Sequence, residues 1–232
     1  MATVLYVVAM PTASAENAKG ESLGGAGLEE ERPHVQQYVN GRHESYDLTH
    51  MGPDFAFIEY TSIDDLVSQI DAALKPGVVL GTLEICAHGS PRSCGGIDRN
   101  NVDGSKADHS DGVGQKLMGL RWNDGGDLYL AGCNTGLTKT KDGITDSIAK
   151  RLAAAMKLDT AVVALNGAKF DHHLTVWGAA GFMQVFVGHG GTHLEKANKT
   201  LQTNPKDPTA VPYDGAKDAT DEDCWIPNRN WP

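Results

Sequence analysis

The sequence predicts an α/β domain with a mainly parallel central sheet between two layers of helices. Three observations carry this: short and nearly continuous apolar runs, amphipathic stretches that follow them, and glycine-rich segments where the runs end. Strands buried on both faces read as unbroken apolar runs. Repeated strand-then-helix order is the mark of parallel pairing with right-handed crossovers.

Taken in order, Thr3 to Met10 reads as a buried strand. A small, acidic, glycine-rich stretch without either period follows it and reads as a long loop over about 11–33. Phe55 to Thr61 is the second strand candidate. Ser62 and Asp65 then form an S-x-x-D capping box for a helix whose Ile63, Leu66, Val67, Ile70 and Leu74 share one face. Lys75-Pro76-Gly77 ends it. Val78 to Ala87 has the near-continuous apolar character of a central strand, and Ser90 to Gly114 reads as a core-poor loop suited to an active site.

A short helix around Val113 to Arg121 leads into the strand Asp127 to Ala131, and a glycine-rich loop runs from Gly132 to Gly143. In the helix Ile144 to Met156, Ile144, Ile148, Ala149, Leu152 and Met156 share a face, with Asp146 and Lys150 as an i, i+4 pair on the other. Thr160 to Leu165 is a further strand, Thr175 to Val187 a strand or hairpin broken by Gly178 and Gly181, and His193 to Leu201 a last helix. The tail over about 203–232 reads as irregular. At 232 residues the whole is one domain.

A formal charge of −10 argues against a general nucleic-acid binder, which needs cationic surface. No apolar run approaches the roughly 18 residues of a membrane helix, and the N-terminus lacks a basic segment ahead of its short apolar stretch. Cys86, Cys94, Cys133 and Cys224 have neither CxxC spacing nor the density of a disulfide framework. These readings favour a soluble protein of a reducing compartment, the cytoplasm, with signal-independent export left open.

Two segments carry the chemistry. TLEICAHGSP ends an apolar run on His88-Gly89, and DLYLAGCNTG ends another on Gly132-Cys133. If the two runs are neighbouring parallel strands, an imidazole and a thiol meet at the sheet edge where open α/β folds bind ligands. A thiol at a strand end is reachable, and a histidine with an ordinary pKa near 6.5 can take and return its proton. Gly132 leaves room for a substrate backbone, while the amides of Gly89 and Cys133 can face an oxyanion. Alone, either residue is more readily a buried cysteine or a strand-end histidine. Their shared placement is what points to a pair.

With those residues in hand, the stretch from about Val78 to Gly167 resembles the caspase-like (clan CD) cysteine peptidases, bacterial type: an apolar block ending in His-Gly, then an apolar block ending in a small residue and Cys. The resemblance implies a caspase-like three-layer sandwich and a cysteine endopeptidase acting on a protein or peptide. It makes Cys133 the nucleophile, His88 the general base and acid, and Gly89 an oxyanion-hole donor, with no cofactor or metal. It also implies a P1 pocket at the same edge. Asp98, Asp103, Asp108 and Asp111 lie in the loop after His88, and one of them lining that pocket would favour Lys or Arg; otherwise they are solvated loop carboxylates. Cys94, close to the histidine, departs from many members and is either a bystander or a redox partner of Cys86 or Cys133.

Other chemistries fit less well. His172-His173 and the pair His189 and His193 suggest a metal, but Gly190-Gly191 disfavours a helix between the latter and no HExxH is present. Lys139 stands where a Cys-x5-Arg phosphatase loop needs arginine, and GxSxG and Walker A motifs are absent. The serious alternative is a caspase-like fold used as a binding or interaction module with the pair unused; a third reading keeps the pair but transfers an acyl group to something other than water. Caspase-like enzymes are often cut in the loop after the nucleophile, where Lys139 and Lys141 lie. Wild-type protein incubated alone is expected to yield fragments ending in that loop while Cys133→Ala stays whole; identical intact bands on a denaturing gel would remove self-processing.

Overall fold

The computed structural model describes residues 2–17, 19–26, 28, 32, 54–105, 111–136, 146–156, 174–179 and 225–229. The large sheet contains β1 (Thr3–Pro11), β2 (Asp54–Tyr60), β3 (Val78–Cys86), β7 (Trp122–Ala131), β8 (Leu174–Ala179) and β9 (Trp225–Arg229). Their spatial order is β2-β1-β3-β7-β8-β9, with every neighbouring pair parallel except β8 and β9. A small antiparallel sheet follows β3: β4 (Gly89–Ser90), β5 (Ser93–Cys94) and β6 (Ile97–Asp98). The helices are α1 (Ile63–Ala73), α2 (Val113–Met118) and α3 (Ile148–Ala155).

Strict alternation along the strands sorts the side chains onto two faces. Leu5, Val7 and Ala9 of β1, Leu83 and Ile85 of β3, Leu128 and Leu130 of β7, and Val176 of β8 belong to one apolar cluster. Val8, Met10, Cys86 and Ala131 belong to a second, bordered by Tyr6, Phe55, Phe57, Tyr129 and Trp177. β1 and β3 are apolar at both parities because both of their faces are covered. The second face also buries a carboxylate: Glu84, 1% exposed, accepts a hydrogen bond from Tyr6 Oη at 2.8 Å and one from Cys86 Sγ at 3.6 Å.

All three helices put their buried residues into the first cluster, and α2 touches both α1 and α3. Among the described residues, therefore, helices cover one face of the sheet. Ser62 caps α1 as expected, its Oγ accepting from Asp65 N at 3.1 Å. The reciprocal bond goes to Thr61 N at 2.8 Å rather than to the cap residue itself. Gly77, at φ +85, takes the left-handed turn that ends the α1 connection.

Several expectations change. The α3 helix starts at Ile148 with Ser147 as its cap, so Asp146 lies ahead of the helix and pairs with Arg99 at 3.2 Å instead of with Lys150. β7 begins at Trp122, five residues before the apolar run, because the Trp122 ring is buried and its Nε1 donates to Leu117 O at 2.8 Å. The segment after His88 is not core-poor: Cys94, Ile97 and Val102 are buried in the first cluster. The tail read as irregular supplies β9, which caps the sheet on β8. The strand at Thr160–Leu165, the helix at His193–Leu201 and the second half of the stretch 175–187 lie outside the described residues.

Among the described residues no helix is long and apolar enough to cross a membrane. The Asp65 carboxyl is held below its usual range, chiefly by the Thr61 amide and next by the Gln69 side chain. A depressed folded-state pKa stabilises the fold above the ordinary carboxylate pKa, and that stability is lost as pH falls through the depressed value. Urea denaturation across pH 3 to 7 is expected to show a shallower acid decline for Asp65→Asn than for wild type. At neutral pH, Leu83→Ala should cost about 2–5 kcal/mol, against about 1 kcal/mol for Ser62→Ala.

Candidate functional site

The last paired rung between β3 and β7 is Cys86 opposite Ala131. His88 and Cys133 each lie two residues beyond it, so both emerge at the same edge from adjacent parallel strands. Beyond the rung the chains approach closely enough to require glycine. A Cβ on Gly89 would lie 2.8 Å from Gly132 Cα and 2.9 Å from Cys133 N. A Cβ on Gly132 would lie 2.8 Å from Ala87 O and 2.9 Å from Gly89 Cα. The His88-Gly89 and Gly132-Cys133 segments thus pack backbone on backbone, so the space beside Gly132 expected to admit a substrate backbone is taken by Ala87, Gly89 and Cys94 instead.

Behind the cysteine the chain turns sharply. Asn134 adopts φ +60, a left-handed conformation that asparagine tolerates better than most residues. The buried Thr135 hydroxyl lies 2.7 Å from Leu130 O and 3.1 Å from Gly132 O, fastening the turn to the strand end. The first amides of α3 then donate to both site loops: Ile148 N to Pro91 O at 2.9 Å and Ala149 N to Thr135 O at 3.2 Å. The N-terminal end of α3 consequently lies beside the turn that carries Cys133.

The three cysteines described differ sharply. Cys86 and Cys94 are buried, whereas Cys133 is partly exposed. Burial pushes the Cys86 thiol well up, with the Glu84 carboxylate adding to it. Burial also raises Cys94, with a smaller contribution from the charge of Cys133. Reactivity requires both thiolate and access, so Cys133 is the candidate that meets the conditions.

His88 is exposed, and its backbone is clasped by the loop that follows β1. Its N–H donates to Gly24 O at 2.9 Å. Gly24, at φ +84, passes so near that a Cβ there would be 2.8 Å from His88 O. A cleft of about 980 Å³ opens beside His88, walled by Glu21 to Gly24 on one side and by residues of the small sheet and its turns on the other. Gly89 and Cys94 line it; Cys133 does not.

The cleft's charge is mixed, its lining including Arg92, Arg99 and Arg151 as well as Glu21 and Asp98. Of the four aspartates considered for a pocket, Asp98 alone among those described lines the cleft, and its Oδ1 accepts from Asn100 N at 2.6 Å and Asn101 N at 3.2 Å. Asp103 is paired with Arg151, and Asp111 fastens Ser105. Asp108 lies outside the described residues, as do His172, His173, His189, His193, Lys139 and Lys141. Among the described residues no group of three or more His, Cys, Asp or Glu is placed to hold a metal. The cleft arginines and the Glu21–Gly24 wall gave no signal in the sequence beyond the glycine-rich character of the loop.

Compared with known proteins, the chain matches no family model, no curated protein and no solved structure. Iodoacetamide at neutral pH under native conditions is expected to alkylate Cys133 at least about tenfold faster than Cys86 or Cys94, given their burial. Peptide mapping over time measures the three rates, and comparable rates would remove Cys133 as a distinctive thiol.

Proposed function

We propose that the protein is a cysteine endopeptidase of caspase-like type, with Cys133 as nucleophile and His88 as general base and acid. The observation that supports it most is the rung between Cys86 and Ala131, which both residues follow by equal steps at the glycine-lined junction of β3 and β7. In this reading the fold is a three-layer sandwich, with a further layer over the aromatic face of the sheet.

The chemistry follows from that junction. The Cys133 thiolate attacks the scissile carbonyl carbon, forming a C–S bond and an oxyanion that accepts hydrogen bonds from the amides of Gly89 and Cys133. His88, carrying the proton taken from the thiol, protonates the leaving amine as the C–N bond breaks. The imidazole then deprotonates water, which attacks the thioester and releases the acid and the thiolate. No cofactor enters the sequence. Beside His88, the cleft would hold the substrate chain; a basic P1 residue depends there on Glu21 and Asp98, against three arginines.

One observation favours the second reading, a binding module with an unused pair: the cleft is lined by His88 but not by Cys133. A positional-scanning peptide library separates the two. The peptidase reading expects cleavage by wild type under reducing conditions, falling by about 10³-fold or more in Cys133→Ala and in His88→Ala, because removing a member of such a unit abolishes most of its rate enhancement. No cleavage by wild type, with or without calcium, would leave the binding module.

A further inference from the structure

Cys94 is a buried thiol that the proposed hydrolysis does not use, yet it sits at the junction that carries Cys133. It lies opposite Gly89 in the β4–β5 pair, and Gly89 in turn abuts Gly132 and Cys133 N. On the other side, its Sγ is so close to Gly132 that a Cβ added there would be 2.8 Å from the sulfur. Cys94 thus packs against both glycines that neighbour Cys133 in the junction, and the two thiols are near enough for the charge of Cys133 to act on Cys94. Cys86 is a different case, since its Sγ bonds the Glu84 carboxylate within the cluster on the opposite face of the sheet.

We infer that Cys133 and Cys94 form a reversible disulfide under peroxide, with Cys94 as the resolving thiol. The Cys133 thiolate attacks one oxygen of hydrogen peroxide, breaking the O–O bond; Cys133 becomes a sulfenic acid and hydroxide leaves. The Cys94 sulfur then attacks the sulfenic sulfur. An S–S bond forms, the S–O bond breaks, and the hydroxyl leaves as water with the Cys94 proton. The two thiols together lose two electrons, which reduce the peroxide to water. Cys94 gives up its weak hydrogen bond to Ile85 O, 3.9 Å away, when the bond closes.

Each thiol has the character its step needs. Cys133 is partly exposed and meets the oxidant first, while Cys94 is buried and stays reduced until a sulfenic sulfur forms beside it. Burial raises the Cys94 thiol, which keeps it protonated until it resolves a sulfenic sulfur beside it. The disulfide would take the nucleophile out of service and protect it from irreversible oxidation. The inference needs only a reachable Cys133 thiol and does not rest on the peptidase reading.

The test is peptide mapping of the reduced full-length protein after treatment with hydrogen peroxide and alkylation. The expected result is a peptide pair joined through Cys94 and Cys133 in most molecules, dissolved by dithiothreitol. In Cys94→Ala, and in Cys94→Ser should the first variant fail to fold, the link is absent and Cys133 proceeds to the sulfinic acid. Wild-type Cys133 found as sulfinic acid with Cys94 still alkylatable after unfolding would overturn the inference, as would a link from Cys133 to Cys86 or Cys224. The wild-type map decides without any variant.

Discussion

The close approach of Gly89 and Gly132 is the constraint on which the candidate site depends. Parallel strands stand about 4.8 Å apart, and beyond their last rung they ordinarily diverge into separate connections. Here the two chains stay in contact past Cys86 and Ala131, because neither carries a Cβ where they touch. That contact holds the histidine and cysteine segments together with little help from side chains. It also admits Cys94 Sγ to the back of the junction, so the same absence of side chains sets both the proposed reaction and the proposed redox chemistry.

Around that contact the rest of the fold acts as support. The first apolar cluster locks β1, β3 and β7 against α1, α2 and α3, and its alternation with the second cluster forbids a one-residue slip, which would exchange the faces. Helix α3 is tied by its first amides to the loops after His88 and after Cys133, so the packing of Ile148, Ala149 and Leu152 bears directly on the site. The loop after β1 adds the third support by clasping the His88 backbone through Gly24. The candidate pair is thus placed by a rigid sheet and bordered by loops, as pairs at strand ends of α/β folds tend to be.

Much of this was legible in the chain. The apolar runs at Thr3–Met10, Phe55–Thr61 and Val78–Ala87 are strands, and the Ser62 cap and the apolar face of α1 follow from local spacing. Where sequence reading went astray, a distant partner had decided the outcome. Asp146 turned away from Lys150 to Arg99 and Arg151, and Ser147 rather than Ile144 opens the helix. Trp122 extended β7 because Leu117 O was there to receive its indole N–H. Cys94, Ile97 and Val102 sit in a segment of glycine and polar residues that has no period, yet the small sheet folds them into the core.

By itself the sequence determined the strands at Thr3–Pro11, Asp54–Tyr60 and Val78–Cys86 and the helix at Ile63–Ala73 to within a residue or two, and that a histidine and a cysteine stand, each beside a glycine, at two strand ends. Periodicity and turn chemistry are local, and they carry that much. Only the tertiary structure decided that β3 and β7 are neighbours in register, that Cys94 lies behind Gly132, that arginines share the cleft with Asp98, and that Trp225–Arg229 completes the sheet. Those facts depend on strand order and on side chains far apart in the chain, whose meeting is set by how the whole core packs and not by the spacing of any one segment.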